Sequence, residues 1–283
     1  MNIIKITNNI ANYLITCYNK NMNDRFDLRT THNDVRFRYA KGKSSYEGNE
    51  IHPYHEILFI TDGGGRFKSE HFDMLLTEAT LLIIPKGTFH RHDVADQDNY
   101  TRLVLNFPDI EEINGSSLFS DKQVKVNTEL SSDSRYLIER ICRALESDES
   151  ERQKLNLLYG GFLMLLSDLE AYSDNLTLPG ADDDRGFIAR YVKYVDDNYL
   201  SDIKIEDMAR DMNVSVSTLF LHFKKHLGVS VYKYVSEKRL IHAHELLSNG
   251  KLPTKIYSEC GYNDYVTFYK AYIKMFGHSP SAR

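Results

Sequence analysis

Histidine and glutamate gather twice in the first third of this 283-residue chain. Glu50, His52, His55 and Glu56 fall within "EIHPYHE", and His90 and His92 follow in "FHRH". Imidazole nitrogens and carboxylate oxygens are ligands for a divalent metal, and an ion needs two to four of them converging. Glu50, His52, Glu56 and His90 form one such set. Arg38, His52, Tyr54, Glu56 and His90 can equally hydrogen-bond a sugar or another small polar molecule when they line a pocket. A plainer reading makes all of them rim and surface. His222 and His226 are four apart, a spacing that sets two ligands on one helix face. No third ligand accompanies them. No G-x-S-x-G, Walker loop or dinucleotide fingerprint occurs, so no catalytic residue is assigned.

The elements that must position these residues are legible as two regimes. Residues 35–108 read as β. "HEILFI" (55–60), "TLLIIP" (80–85) and "TRLVLNF" (101–107) are short apolar runs separated by "DGGG" and "PKG", the pattern of a sandwich or barrel. From 132 to 172 the apolar spacing changes to three and four, which predicts two helices. The second, containing "GGFLMLL" (160–166), is apolar over most of its circumference and must be buried in its own domain or against a second subunit. "SDNLTLPGADDD" (173–184) has a linker composition. Everything after it reads as helix. The predicted organisation is therefore α+β in two domains, 1–172 and 185–283, joined by 173–184.

Charge divides at the same place. The net −5 is made of −10 over residues 1–184 and +5 over 185–283, and a basic small domain suits a polyanion partner. No apolar run approaches the ~20 residues of a membrane span. The N-terminal residues lack the basic head and cleavage site of a signal peptide. Cys17, Cys142 and Cys260 are scattered and odd in number. Together these predict a reducing, cytoplasmic setting and no membrane.

The basic part repeats itself. Residues 205–230 slide by 49 onto 254–279 without a gap: Ser215 meets Asp264, Leu219 meets Phe268, Phe223 meets Tyr272, Gly228 meets Gly277, and Ala209 meets Ser258. A short helix, a turn carrying Asn213 or Gly261-Tyr262, a capping residue and a longer helix ending at glycine make a helix-turn-helix. Its second helix can enter a DNA major groove. Phe268, Tyr272 and Phe276 are the core stripe of the second copy. Val266, Thr267 and Lys270, with Ser217, Thr218 and Leu221 in the first, lie early on the outer face, where side chains reach base edges. Lys224, Lys225, Arg239 and Lys274 are candidate phosphate ligands. The helix predicted over 231–250 packs through Tyr234, Leu240, Ala243, Leu246 and Leu247 and would hold the two motifs in fixed relation.

At "CGYNDYVTFYKAYIKMFGHSP" (260–280) the sequence resembles the AraC/XylS family of bacterial transcription regulators. Three departures stand out: Tyr257 for a small residue, Tyr272 for Phe and Ile273 for Lys. "HPYHEILFITDGGGRF" and "LLIIPKGTFHRH" are similar to that family's cupin-like sensor half. The resemblance implies an N-terminal cupin-like β-barrel with following helices and a C-terminal all-α double helix-turn-helix. It implies double-stranded DNA and a small-molecule effector as partners, a carbohydrate or another metabolite. It also implies RNA polymerase contact, a homodimer formed through the helices after the barrel, and activation more than repression. In metal-binding cupins the first motif brings two histidines at spacing two. Here Glu50 takes the first of those positions, which argues against metal, so none is assigned and no cofactor is expected. The rival reading is a metal-dependent cupin enzyme with a helical appendix.

Overall fold

The computed structural model describes residues 26–42, 49–70, 72–94, 98–177 and 186–281. The N-terminal stretch with Cys17 and the later part of the expected linker lie outside the described residues; Cys142 and Cys260 are buried free thiols.

Among the described residues the N-terminal part holds nine strands: β1 (Phe26–His32), β2 (Val35–Lys41), β3 (His55–Asp62), β4 (Gly65–Ser69), β5 (Asp73–Leu76), β6 (Leu81–Ile84), β7 (His90–Val94), β8 (Thr101–Phe107) and β9 (Lys125–Asn127). They form two antiparallel sheets, one ordered β1-β2-β8-β3-β6-β9 and one ordered β5-β4-β7. Among the described residues, β structure is already present at Phe26, ahead of the apolar runs that mark it in the sequence. β1 alternates half-buried and exposed positions at the sheet edge, so it carries no continuous apolar signal.

Helices α1 (Ser132–Glu146) and α2 (Glu151–Ala171) follow. Side chains alternate faces along a strand, and β3 shows the result. Ile57 and Phe59 join Phe107, Ile141, Phe162 and Leu165 in the core between the large sheet and the two helices. Leu58 and Ile60 turn the other way and join Phe67, Leu82 and Tyr100 in the core shared with the small sheet. The order of layers is small sheet, large sheet, helix pair. Gly161 lets the helices close: a Cβ there would lie 3.1 Å from Ile141, whereas one on Gly160 would meet nothing within 4 Å. The apolar circumference of α2 is thus shared between an inner face and an outer one, where Met164 is exposed. After α2 the chain is still tied to the sheet. Thr177 N donates to the Val126 carbonyl (2.8 Å), and the Thr177 carbonyl accepts from Val126 N (3.0 Å).

The C-terminal part is helical: α3 (Gly186–Asn198), α4 (Ile205–Asp211), α5 (Val216–Leu227), α6 (Val231–Ser248), α7 (Pro253–Ile256) and α8 (Tyr265–Phe276). It has two cores. Met208, Leu219, Phe223 and the first turns of α6 (Val231, Tyr234, Val235) make one. Ile256, Cys260, Phe268, Tyr272 and the later turns of α6 (Leu240, Ala243) make the other. One helix is therefore part of both motifs, which is the rigid connection predicted for it. No helix among the described residues is long and apolar enough to cross a membrane.

Candidate functional sites

The two helical motifs share their hydrogen bonds. Ser215 Oγ accepts from Thr218 N (3.0 Å) and Asp264 Oδ1 from Thr267 N (2.8 Å), each capping the helix it precedes. Each helix ends at a left-handed glycine, Gly228 with φ 70° and Gly277 with φ 75°. In the turn before each cap, Val214 N donates to Ala209 O and Tyr262 N to Tyr257 O, both at 3.0 Å. Asn213 (φ 56°) and Gly261 (φ 74°) hold the left-handed position of the same closing motif. Up to that turn the copies are related by 48 residues, not 49, so Ala209 corresponds to Tyr257 and the pairing of Ala209 with Ser258 is corrected. The second turn has one extra residue before its cap. Tyr257, too large for the close packing that Ala209 permits, is half-buried with its ring 6.0 Å from Tyr265. Helix α7 is correspondingly short.

Of the residues expected to meet DNA, Ser217, Leu221, Lys224, Lys225, Val266, Thr267, Lys270 and Lys274 are exposed and Thr218 is partly so. Phe268 and Tyr272 are buried on the opposite face. Arg239 departs from the expectation. Its guanidinium donates to the carbonyls of Tyr199 (2.6 Å) and Ser201 (2.7 Å), and Gly261 closes against it. The structure gives Arg239 the work of joining the two motifs. Lys224 and Lys225 border the N-terminal part near Asn49, Lys68 and Arg91. His222 is engaged with the Tyr191 hydroxyl (3.0 Å).

On the inner face of the large sheet, register sets the polar lining. Glu56 on β3 pairs with Asn106 on β8, and Ile60 with Arg102. Glu56 therefore shares a face with Asn106 and, two positions apart each time, with Arg102. Asn106 Nδ2 donates to Glu56 Oε2 (2.7 Å). The small sheet contributes His90 and His92 from β7, and the bridge Glu50↔His90 brings Glu50 beside them. His52, Glu56 and His90 are buried together, with Tyr54 stacked 4.6 Å from the His52 ring. Arg38, expected in the same group, forms a bidentate pair with Asp27 (both contacts 2.9 Å). His55 points to the helix side, where Nδ1 accepts from Lys86 N (3.2 Å) and Nε2 donates to Asp109 (2.9 Å).

Burial raises the Glu50 carboxyl to about 7, helped by the neighbouring Glu56 charge. Burial, together with the positive charge of neighbours, lowers His90 and His92 to about 4 each. In the His52–Glu56 pair burial opposes both charges but their mutual attraction outweighs it, so His52 goes up and Glu56 goes down. Three buried atoms of this lining make no hydrogen bond: His52 Nε2, His92 Nε2 and Arg102 Nη2. Buried polar atoms are nearly always satisfied, by protein, water or a bound molecule, so the lining is suited to a polar ligand. His92 stands in "FHRH" beside His90, whereas Arg102 is not singled out by the sequence. The alternation of Arg102, Val104 and Asn106 in "TRLVLNF" was the available signal.

The two parts touch through charge as well as apolar surface. Glu70, buried beside β4, accepts from the Tyr234 hydroxyl (2.5 Å) and lies 3.4 Å from Lys238 Nζ, which is 3.0 Å from Asp196. Lys86 pairs with Asp109 (2.5 Å) and, across the junction, with Glu245 (2.7 Å). Phe89 of the β part belongs to the core of the first helical motif.

Comparison with known proteins adds independent findings. Residues 35–162 match the model of an AraC-like ligand binding domain, and residues 208–282 match that of a helix-turn-helix domain. The Msm operon regulatory protein of Streptococcus mutans is 25% identical over 276 residues, covering 95% of this chain and 96% of that one. The lactose operon transcription activator of Staphylococcus xylosus is 26% identical, over 80% of this chain and 81% of its own length. The raffinose operon transcriptional regulatory protein RafR of Pediococcus pentosaceus is 27% identical, over 84% and 87%.

Proposed function

Because the chain belongs to the AraC/XylS family of transcription regulators, we propose that it couples a carbohydrate held in the inner lining of its β domain to operator binding by α5 and α8. It is a ligand-controlled, DNA-binding transcription activator. The observation that carries the DNA half is the repeated unit: two helices with the same cap, the same left-handed ends and the same buried stripe, each presenting an exposed polar face at its start. Ser217, Thr218 and Leu221 in one copy and Val266, Thr267 and Lys270 in the other read bases. Lys224, Lys225 and Lys274 contact phosphate.

A carbohydrate is the proposed effector for two reasons. The lining offers hydrogen-bonding groups with unmet capacity, and two relatives are named as regulators of lactose and raffinose operons. His52, Tyr54, Glu56 and His90 hold it, with Arg102 and His92 added. The domains divide between Thr177 and Gly186. The chain works in the cytoplasm as a homodimer that recruits RNA polymerase and carries out no catalysis, with the outer face of α2 around Gly160 and Met164 as the subunit contact.

Selection of DNA ligands by the full chain from a random pool tests this. Enrichment of two half-motifs about one helical turn apart, ~10 bp, is expected, with affinity changed by lactose, raffinose or a related sugar. A pool that remains random overturns the assignment of α5 and α8.

A further inference from the structure

We infer that His52, Glu56 and His90 form a binding site for one divalent transition-metal ion inside the sensor domain. Among the described residues, these three bring one ligand atom each to within 4.8 Å of one another, and all three side chains are buried. Two donors on one zinc-like ion with bonds of ~2.0–2.1 Å stand about 3.4 Å apart in a tetrahedron. The His52 Nε2 to Glu56 Oε2 separation is already 3.3 Å.

The second observation is how the ligand atoms are held. His52 Nδ1 donates to the Tyr54 carbonyl (2.8 Å) and His90 Nδ1 to the Thr88 carbonyl (3.1 Å). A carbonyl can only accept, so each Nδ1 carries a hydrogen and the neutral ring has its lone pair at Nε2. This is the outer hydrogen bond by which metal-binding histidines are fixed in tautomer and orientation. Glu56 is held in turn by Asn106. His52 Nε2 and Glu56 Oε2 stand 3.3 Å apart as an ion pair without an aligned hydrogen bond, a contact that a proton or a metal ion bridges. A proton would serve His52 and Glu56 alone. It gives no role to the third donor, His90, whereas a metal ion uses all three.

Two imidazoles and one carboxylate suit zinc, iron(II), cobalt(II) or nickel(II) better than magnesium or calcium. Three protein ligands leave a position open. In the setting of the proposed carbohydrate site, a sugar hydroxyl would complete it. Only this last point rests on the effector reading. Glu50, which breaks the expected histidine pair, is no obstacle because the three-residue set does not include it.

The test uses the untagged full chain, stripped with chelator and loaded with Zn²⁺ or Co²⁺. One ion per chain after desalting is expected. His52→Gln, Glu56→Gln and His90→Gln should each weaken binding at least 100-fold, since even outer-sphere changes give 10- to 100-fold losses. His222→Gln, on the recognition helix, should leave binding unchanged. Binding well below one ion per chain, or binding unaffected by all three substitutions, overturns the site. Should the variants not fold, X-ray absorption of Co²⁺-loaded wild type decides: two imidazoles and an oxygen are expected, and a shell without imidazole overturns it. Thermal shift with sugars in both metal states separates the two proposals. A sugar response without a bound ion leaves the effector reading and removes the metal, whereas an ion bound without any sugar response does the reverse.

Discussion

Lys270 is the residue on which base reading is most directly testable. It is exposed on α8, on the face opposite Phe268 and Tyr272, and its counterpart in α5 is Leu221, which offers only apolar contact. A side chain that reads a base contributes to operator binding and not to random DNA, while one that meets phosphate contributes to both. Lys270→Ala is therefore expected to lower operator affinity about tenfold or more with little change on random DNA. Competitive gel-shift assays check this, and equal losses on the two DNAs place Lys270 on phosphate. Sequence reasoning does well on such a face because a helical period of 3.6 assigns sides without further information. It fails for Arg239, whose exposure and partners depend on carbonyls about 40 residues away. It also passes over Arg102, whose burial follows from which strands pair.

At the scale of elements, the repeat was legible but its register was not uniform. The shift of 49 holds from the caps onward, as Ser215 and Asp264 show. It becomes 48 before them because the second turn has one more residue between its left-handed position and its cap. An ungapped comparison cannot see a one-residue insertion that leaves both glycine ends in phase. The first cap is the simpler one to test. Ser215→Ala removes the acceptor for Thr218 N and is expected to destabilise the helical domain by about 1 kcal/mol. Phe223→Ala, in the buried core beneath the same helix, should do so by about 3–5 kcal/mol. Urea unfolding of the full chain, followed by amide exchange to assign each loss to its domain, checks both. Strand β1 gives a pH test. Arg29, with Arg38, holds the Asp27 carboxyl well below its usual range, against the opposing effect of burial. A depressed carboxyl stabilises the fold above its unfolded value near ~3.9 and ceases to do so as pH falls through its folded one. The melting-temperature advantage of wild type over Asp27→Asn should hold at neutral pH and shrink below about pH 4. An advantage that persists there would show that Asp27 acts through packing.

For the whole molecule, the question is how a ligand among the strands reaches helices that bind DNA. Ligand can shift an equilibrium only by its differential affinity for two arrangements, so the arrangements must differ at a surface that joins the domains. Glu70 lies at that surface. It comes from the chain just after β4, the strand that pairs with β7 and hence with His90 and His92. It meets Tyr234 and Lys238 on α6, the helix shared by both DNA-binding motifs. Burial works against the Lys238 charge, but Glu70 and Asp196 outweigh it and raise its pKa. A raised lysine keeps its contribution throughout the neutral range and loses it only as pH rises past the lysine's own value, so this contact should not vary with pH from 6 to 8. Removing one member of a buried ion pair leaves the other uncompensated, at about 3–5 kcal/mol. Because Asp196 still holds Lys238, Glu70→Ala should fall near the lower end, about 3 kcal/mol. The metal and sugar groups are untouched by this change, so effector affinity of the isolated binding step should remain. The effector-induced change in operator affinity should shrink at least about fivefold. Titrating operator binding with and without effector for wild type and Glu70→Ala measures that coupling. An unchanged ratio would mean that the signal passes elsewhere, the Lys86–Glu245 pair being the next contact to remove.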